Sequence, residues 1–143
     1  ELIVETAACI RGLFREQDIV ARIGGDEFIV FLRNIASVSL IVKKAESIGK
    51  AFRESAGCRL CGVSGSIGVS FYPQDGVCYK ELFRKADAAM YTAKNGGKDS
   101  FRIYTREIGD LSPVSEGAST LSTASAVAEG VPSAGTESSE FSR

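Results

Sequence analysis

The sequence predicts an α/β protein in which helices pack on a largely antiparallel sheet, with its elements in the order α-ββ-α-ββ-α-β. Three segments carry apolar residues at helical spacing. Runs rich in β-branched and aromatic residues lie between them, and two of these runs are joined by adjacent glycines. With 143 residues, 44% hydrophobic and 24% charged, the chain has the size and composition of one globular domain.

The first two elements are a helix and a β-hairpin. Residues 1–16 form an amphipathic pattern, with apolar side chains recurring at helical spacing. The β-rich residues 19–21 begin a strand, the glycine pair turns the chain, and residues 27–32 return it. Two glycines at such a turn favour a tight hairpin, since glycine accepts positive φ.

Two further helices and the remaining strands follow. Ser37 is a plausible N-cap for a helix that runs to Ser55. Residues 59–64 and 66–72 are β-rich and predict another hairpin or a bulged strand. A third helix is predicted from Tyr79 to Asn95, and residues 101–104 form a final short strand.

Composition divides the chain into a folded domain over residues 1–106 and a tail over residues 107–143. Residues 1–105 hold 15 Lys and Arg against 12 Asp and Glu, whereas residues 106–143 hold 2 against 6. The tail is rich in Ser, Gly, Ala and Glu, and we expect it to be disordered. The mildly basic body suits a small polyanion and lacks the charge density of a surface that binds a nucleic acid polymer.

The four cysteines lie at positions 9, 58, 61 and 78. Cys58 and Cys61 have the C-x-x-C spacing of zinc and redox sites, but the chain has no histidine and no second pair. A four-ligand zinc site would need Cys9 and Cys78 to converge on them. Buried, reduced thiols are the interpretation we favour.

The hairpin turn is the main candidate for chemistry. Gly24 and Gly25 are followed directly by Asp26 and Glu27, and then by an apolar strand. Two carboxylates on such a turn can hold a divalent cation and, with it, a phosphate. The alternative is an ordinary Gly-Gly hairpin whose acidic side chains face water.

Three motifs in order carry a resemblance to a known family. The sequence Gly-Gly-Asp-Glu-Phe stands at 24–28, Ser-Ile-Gly-Val leads into Tyr-Pro-Gln-Asp-Gly over 66–76, and Ala-Asp-Ala-Ala-Met-Tyr-Thr-Ala-Lys stands at 86–94. Residues 1 to about 105 thereby resemble the C-terminal part of a GGDEF-domain diguanylate cyclase. The resemblance implies a nucleotidyl cyclase or polymerase-palm fold that is truncated at its N-terminus.

The resemblance also implies an activity. Such enzymes condense two GTP molecules into cyclic di-GMP in a homodimer, with Mg²⁺ or Mn²⁺ as cofactor. By resemblance Asp26 is a metal ligand and Glu27 is a second ligand or a catalytic helper. Gly24 and Gly25 would then let the backbone approach the nucleotide.

Two lysines and an Arg-x-x-Asp motif complete the candidate residues. Lys94 and Lys98 lie four positions apart, and the resemblance assigns them to substrate phosphates; the alternative is that they favour a helix C-terminus. Arg15 and Asp18 stand five residues before the glycine pair, which is the spacing of the family's inhibitory site for its own product. The alternative there is a local surface ion pair.

The chain opens at Glu1 without Met, so we expect the N-terminal strand and helix region of the domain to lie upstream. Without that region, the resemblance implies that this fragment alone is inactive. A non-catalytic cyclic di-GMP receptor and a dimerisation module remain alternative functions. We expect a cytoplasmic location with no membrane contact in this segment, although upstream domains of the parent protein could tether it to a membrane.

Overall fold

A computed structural model describes residues 2–55, 57, 60–62, 64–97, 99–107 and 125–129. It contains helices α1 (Leu2–Gly12), α2 (Val38–Glu54) and α3 (Tyr79–Asn95). The strands are β1 (Ile19–Gly24), β2 (Glu27–Leu32), β3 (Ser66–Tyr72), β4 (Ser100–Ile103) and β5 (Ser125–Glu129).

The five strands form one mixed sheet in the order β1-β2-β5-β3-β4. The predicted class of helices packed on a central sheet is confirmed, and so is the β1–β2 hairpin, which is antiparallel. The other three pairings in the described chain are parallel, and here the sheet differs from the antiparallel-rich prediction. Helices connect β2 to β3 and β3 to β4, and such crossovers return the chain in the same direction.

The two faces of the sheet are covered differently. Helices α1 and α2 and the alternate residues of β2 and β3 that face them form the main hydrophobic core, in which Ile10, Phe52, Val30 and Val69 have at most 1% of their surface exposed. Helix α3 packs on the opposite face, against β3, β4 and β5. The core therefore fixes the hairpin strand β2 to the same layer as β3.

Gly68 explains part of the Ser-Ile-Gly-Val motif. A Cβ placed on Gly68 would lie 1.8 Å from the backbone oxygen of Ala86 and 2.4 Å from the backbone nitrogen of Met90. Only glycine lets α3 approach β3 this closely. The neighbouring Ser70 adds a buried contact, because its Oγ donates to the carbonyl oxygen of Leu82 at 2.8 Å.

The Tyr-Pro-Gln-Asp-Gly motif forms the turn that leads from β3 to α3. The backbone N–H of Phe71 donates to Oδ2 of Asp75 at 2.6 Å, and the N–H of Asp75 donates to the carbonyl oxygen of Phe71 at 2.7 Å. At the start of α3, the N–H of Val77 donates to Oε2 of Glu81 at 2.9 Å, and this bond lowers the pKa of that exposed carboxyl. The motif is thus a closed turn that fixes where α3 begins.

The predictions for single elements have mixed outcomes. Helices α2 and α3 have the predicted bounds, with Ser37 at the N-cap position. Helix α1 ends at Gly12 instead of residue 16, because the N–H groups of Leu13 and Phe14 close tight turns there.

The strand predicted over residues 59–64 is wrong where the structure describes it. Leu60 is helical, and Cys61 and Gly62 form a turn. Gly62 has a φ of +65°, which a strand does not accommodate.

The predicted disordered tail also differs from the structure at one place. Ser125–Glu129 forms β5, where backbone groups of β2 and β3 offer partners on both sides. Residues 108–124 and 130–143 lie outside the described residues. None of the described helices is long and apolar enough to cross a lipid bilayer.

Candidate functional site

The turn between β1 and β2 has a backbone conformation that depends on glycine. Gly24 pairs with Glu27 across the hairpin, and the register shifts between Arg22 and Gly24. Gly25 has a φ of +44°, in the left-handed region that other residues resist. Nε of Arg22 donates to the carbonyl oxygen of Gly25 at 2.8 Å and so ties the strand to the turn. Arg22 therefore supports the loop through its side chain.

This turn carries two acidic residues in succession, Asp26 and Glu27, at the end of the hairpin. Glu27 is exposed and Asp26 is half-buried. Carboxylate oxygens are hard ligands of the kind that Mg²⁺ prefers, and Mg²⁺ commonly takes one or two protein carboxylates together with substrate phosphates and water. Within the described part of the chain, no group of three or more His, Cys, Asp or Glu side chains gathers at one place. Two carboxylates fit a Mg²⁺ ion whose remaining ligands would come from phosphate and water.

Lys94 lies at the same edge of the sheet as the turn. Strands β2, β3 and β4 start at that edge because they run in one direction, whereas α3 runs back along β3 and ends there. The end of α3 is fixed by Ser100, whose Oγ donates to the carbonyl oxygen of Ala93 at 3.1 Å. The structure thus brings Lys94, at the end of α3, and the two acidic residues, at the start of β2, to one edge of the sheet.

The charge of Lys94 also acts along its own helix. Asp87 precedes Lys94 by two helical turns, so both side chains lie on one face of α3. Burial of its carboxyl group raises the pKa of Asp87, and the ammonium of Lys94 opposes that shift. Lys98, the second predicted phosphate ligand, lies outside the described residues.

Arg15 and Asp18 lie at the opposite end of β1 from the glycine turn. Asp18 is only 6% exposed, and its Oδ2 accepts the backbone N–H of Arg15 at 3.0 Å. The N–H of Asp18 in turn donates to the carbonyl oxygen of Arg15 at 3.1 Å. The side chain of Arg15 is exposed. The motif is therefore a closed turn with a buried carboxylate and an arginine at the surface.

Arg11 supports the same turn, and the sequence analysis did not identify it. Its Nη1 donates to the carbonyl oxygen of Asp18 at 2.8 Å, and its Nη2 donates to that of Glu16 at 3.3 Å. The signal was present, since an arginine in the last turn of a helix commonly bonds carbonyl groups beyond the helix end. Arg11 stands four residues before Arg15, in the last turn of α1.

The cysteine predictions are partly wrong. Cys61 and Cys78 are exposed, not buried, because they lie in a turn and at the N-cap of α3. Cys9 is half-buried, and these three cysteines do not take part in disulfide bonds. Cys58, the other member of the C-x-x-C pair, lies outside the described residues.

Comparison with known protein families gives a match that includes the hairpin and its turn. The family model described as diguanylate cyclase, GGDEF domain, matches residues 1–100. The match covers most of the chain, and the chain belongs to the GGDEF domain family. The Gly-Gly-Asp-Glu-Phe sequence at the turn is the signature that names this family.

Curated relatives and a solved structure support the same assignment. The chain is 38% identical over 106 residues to the bifunctional diguanylate cyclase/cyclic di-GMP phosphodiesterase MucR of Pseudomonas aeruginosa, with 72% of this chain and 15% of MucR covered. It is also 38% identical over 106 residues to the diguanylate cyclase TpbB of that organism, with 71% of this chain and 24% of TpbB covered. The solved GGDEF domain of TpbB superimposes with a TM-score of 0.65 at 31% identity, and the comparison covers 77% of this chain and 66% of that one. The chain thus spans a quarter or less of these two relatives.

Proposed function

We propose that this chain is the hairpin-bearing part of a diguanylate cyclase domain, which condenses two GTP molecules into cyclic di-GMP with release of two pyrophosphates. One observation carries the proposal: the intact Gly-Gly-Asp-Glu-Phe turn, fixed by Arg22, holds an exposed Glu27 beside Asp26. Family membership and the shared edge with Lys94 support it.

The reaction is an in-line displacement at phosphorus. The 3′-hydroxyl oxygen of one GTP forms a bond to the α-phosphorus of the other, and the bond from that phosphorus to the bridging oxygen of pyrophosphate breaks. The hydroxyl gives up its proton, and pyrophosphate leaves with the electron pair. The same displacement takes place twice, once in each direction between the two GTP molecules, and the second one closes the ring. Two subunits that each hold one GTP must therefore face each other, which requires a homodimer.

The residues of the turn have distinct roles in this proposal. Asp26 and Glu27 would hold a Mg²⁺ or Mn²⁺ ion, which supplies charge neutralisation at the phosphates and lowers the pKa of the attacking hydroxyl. Glu27, as the more exposed carboxylate, would also accept the proton of that hydroxyl. Gly24 and Gly25 leave the backbone open, since no atom lies within 4 Å of a Cβ built at either position.

The lysines would bind the phosphates that leave. Lys94 lies at the end of α3, on the edge of the sheet where the turn lies, and Lys98 follows it in sequence. An ammonium group near the β- and γ-phosphates stabilises the charge that develops on pyrophosphate. Positioning and charge neutralisation, not acid-base strength, thus dominate this site.

The experiment uses the full-length protein that contains this chain, incubated with GTP and Mg²⁺, with the products separated by chromatography. Glu27→Gln should lower the initial rate of cyclic di-GMP formation by orders of magnitude, because it removes a charged oxygen at the reacting phosphates. Glu54→Gln is the matched control, since Glu54 is exposed on α2 and pairs only with Lys50 at 3.7 Å. An unchanged rate in Glu27→Gln would exclude this carboxylate from the mechanism.

A second candidate is a receptor that binds cyclic di-GMP without turnover. The exposed Arg15 on a closed turn favours it, since a guanidinium can fork onto a phosphate or stack on guanine. In this proposal Asp18 either accepts a hydrogen bond from the edge of a guanine base or only maintains the turn that presents Arg15. In a catalytic parent the same residues would serve product inhibition.

Calorimetry with cyclic di-GMP separates these possibilities. The wild-type chain should bind the dinucleotide and Arg15→Ala should not, whereas the exposed Arg84→Ala should bind as wild type does. Equal binding by all three, or binding by none, would contradict a product site at Arg15. If the chain does not bind cyclic di-GMP and the full-length protein does not turn over GTP, the remaining candidate function is a dimerisation module.

A further inference from the structure

Helices α2 and α3 end at the same edge of the sheet as the glycine turn, one on each face. Each helix runs back from the end of a strand, α2 after β2 and α3 after β3. Each also carries a basic residue in its last turn, Arg53 in α2 and Lys94 in α3. The chain then continues from α3 into β4, the outermost strand on that side of the described sheet. A contact between Arg53 and the start of β4 therefore connects the two faces of the sheet around its edge.

Arg53 makes such a contact with Asp99, the residue directly before β4. Its Nη1 lies 2.6 Å from Oδ2 of Asp99. The φ of Asp99 is +46°, in the left-handed region where few residues other than glycine, asparagine and aspartate are found. One position later, Oγ of Ser100 donates to the carbonyl oxygen of Ala93, the residue before Lys94. Two successive residues thus connect the end of α2 to the end of α3.

This ion pair affects position more than stability. The side chains of Arg53 and Asp99 are 58% and 34% exposed, and exposed ion pairs contribute little to the stability of a fold. The pair nevertheless lies close against α2. A Cβ placed on Gly49, one turn before Arg53, would lie 3.2 Å from Nη1 of Arg53 and 3.5 Å from Oδ1 of Asp99. The left-handed backbone of Asp99 is thereby held at a defined place beside the helix.

We propose that Arg53 and Asp99 are a positioning pair for Lys94. The ion pair holds the start of β4 against α2, and through Ser100 it fixes the end of the helix that carries the lysine. This inference rests on the proposed function, in which Lys94 binds the phosphates that leave as pyrophosphate. Neither member of the pair touches the substrate in this account. A phosphate ligand that is displaced by about an ångström loses much of its effect, so a pair outside the site can control how well GTP binds.

The first measurement does not depend on GTP. Hydrogen exchange is compared between the whole 143-residue chain and its Arg53→Gln variant. The variant should lose protection about tenfold at the N–H of Gly96, which donates to the carbonyl oxygen of Thr92 at 3.0 Å where α3 ends. Lys50→Gln is the matched control, because Lys50 is exposed on the same helix and its ion pair with Glu54 stays within α2. Unchanged protection of Gly96 in Arg53→Gln would overturn the inference.

The second measurement takes initial rates of cyclic di-GMP formation by the full-length protein. Arg53→Gln and Asp99→Asn should each raise the KM for GTP about fivefold at an unchanged unfolding temperature. Asparagine accepts positive φ, so Asp99→Asn removes the charge and keeps the backbone preference. Arg53→Lys keeps the charge and should stay within about twofold of the wild-type KM. In a Lys94→Ala background, Arg53→Gln should raise the KM no further, because the pair acts through the lysine.

The two measurements separate the failure of this inference from the failure of the proposed function. A wild-type protein that forms no cyclic di-GMP would contradict the proposed function, and the exchange of the Gly96 amide alone would then support or overturn the role of the pair at the end of α3. In an active protein, a wild-type KM in both Arg53→Gln and Asp99→Asn would overturn the positioning role. An equal rise of KM in Lys50→Gln, or a full effect of Arg53→Gln in the Lys94→Ala background, would overturn it too.

Discussion

Two acidic turns lie at the two ends of β1, and the structure uses their carboxylates in opposite ways. Asp18, before the strand, is 6% exposed, and its Oδ2 accepts a backbone N–H of its own turn. Glu27, just beyond the strand's other end, is exposed. There a glycine at positive φ and the Arg22 hydrogen bond maintain the backbone.

The difference separates an acid that closes its own turn from an acid that its turn leaves exposed. Where a carboxylate closes its own turn, removing it leaves a backbone donor without its acceptor, and the fold loses stability. Where glycine and a guanidinium hold the turn, an exposed carboxylate such as that of Glu27 can be changed at little cost to the fold. Sequence motifs alone treat both turns as sites, whereas the contacts show that the Asp18 carboxylate is engaged in its own turn and that Glu27 is exposed.

The largest expected effect on stability is at Asp18. Asp18→Ala should lower the free energy of unfolding by about 1 to 3 kcal/mol, because the N–H of Arg15 loses its acceptor in a partly buried hydrogen bond. Urea denaturation of the chain measures this. Glu16→Ala in the same turn is the control and should change stability little, since Glu16 is exposed and only its carbonyl oxygen accepts a hydrogen bond. Equal losses of stability in the two variants would mean that the Asp18 carboxylate does not stabilise its turn.

The next effect distinguishes the two glycines of the hairpin. Gly25→Ala should destabilise the chain by about 1 kcal/mol, because its φ of +44° disfavours any residue with a Cβ. Gly24→Ala should have a smaller effect, since a Cβ at either position meets nothing within 4 Å and only Gly25 has positive φ. Thermal unfolding of both variants checks this. A larger loss in Gly24→Ala would mean that the turn has another backbone conformation.

A smaller effect is expected at Arg22. Arg22→Ala removes one exposed hydrogen bond to the carbonyl oxygen of Gly25 and should cost about 0.5 kcal/mol. Arg84→Ala on the exposed face of α3 is the control. A loss of several kcal/mol would show that Arg22, and not Gly25, determines the turn.

The smallest effect concerns Asp87, a third carboxylate whose residue is exposed but whose carboxyl group is partly covered. Its pKa is raised by burial, so the native state favours the protonated form, and this stabilisation is present below the unfolded pKa of about 3.9 and lost as pH rises through the native pKa. Asp87→Asn should therefore match wild type in acid and exceed it at neutral pH.

Unfolding curves for Asp87→Asn at several pH values test that prediction. Glu46→Gln on the exposed face of α2 serves as the reference for loss of one negative charge. A wild-type chain that gains stability over the variant as pH rises would give Asp87 the opposite role, that of an acid stabilised by Lys94.

Much of the fold follows from local sequence patterns. Helices α2 and α3 and the hairpin have the predicted bounds because each is specified by its own apolar periodicity and end residues. Strand β5 could not be predicted, since it depends on backbone partners supplied by β2 and β3 and not on its own composition. The strand predicted over residues 59–64 is wrong at the described residues 60–62, because the apolar residues favour a strand while Gly62 turns the chain.

The residues of the candidate site could be predicted from the sequence, but the contacts that they make could not. The Gly-Gly-Asp-Glu-Phe turn and Lys94 could both be identified from the sequence. That they lie at the same edge of the sheet could not, because it follows from the parallel directions of the strands. The burial of Asp18 and the bonds from Arg11 depend on how α1 meets β1, which no short motif encodes.

The most direct test of the account measures GTP turnover and thermal unfolding of Glu27→Gln and Asp18→Ala in the full-length protein. Initial rates are taken before product accumulates, so that relief of product inhibition does not contribute. Glu27→Gln should lose turnover by orders of magnitude with an unchanged unfolding temperature. Asp18→Ala should unfold at a lower temperature yet keep its rate per folded molecule within about twofold. If Glu27→Gln retained turnover, or if both variants lost rate and stability together, the division between a functional and a structural turn would be wrong.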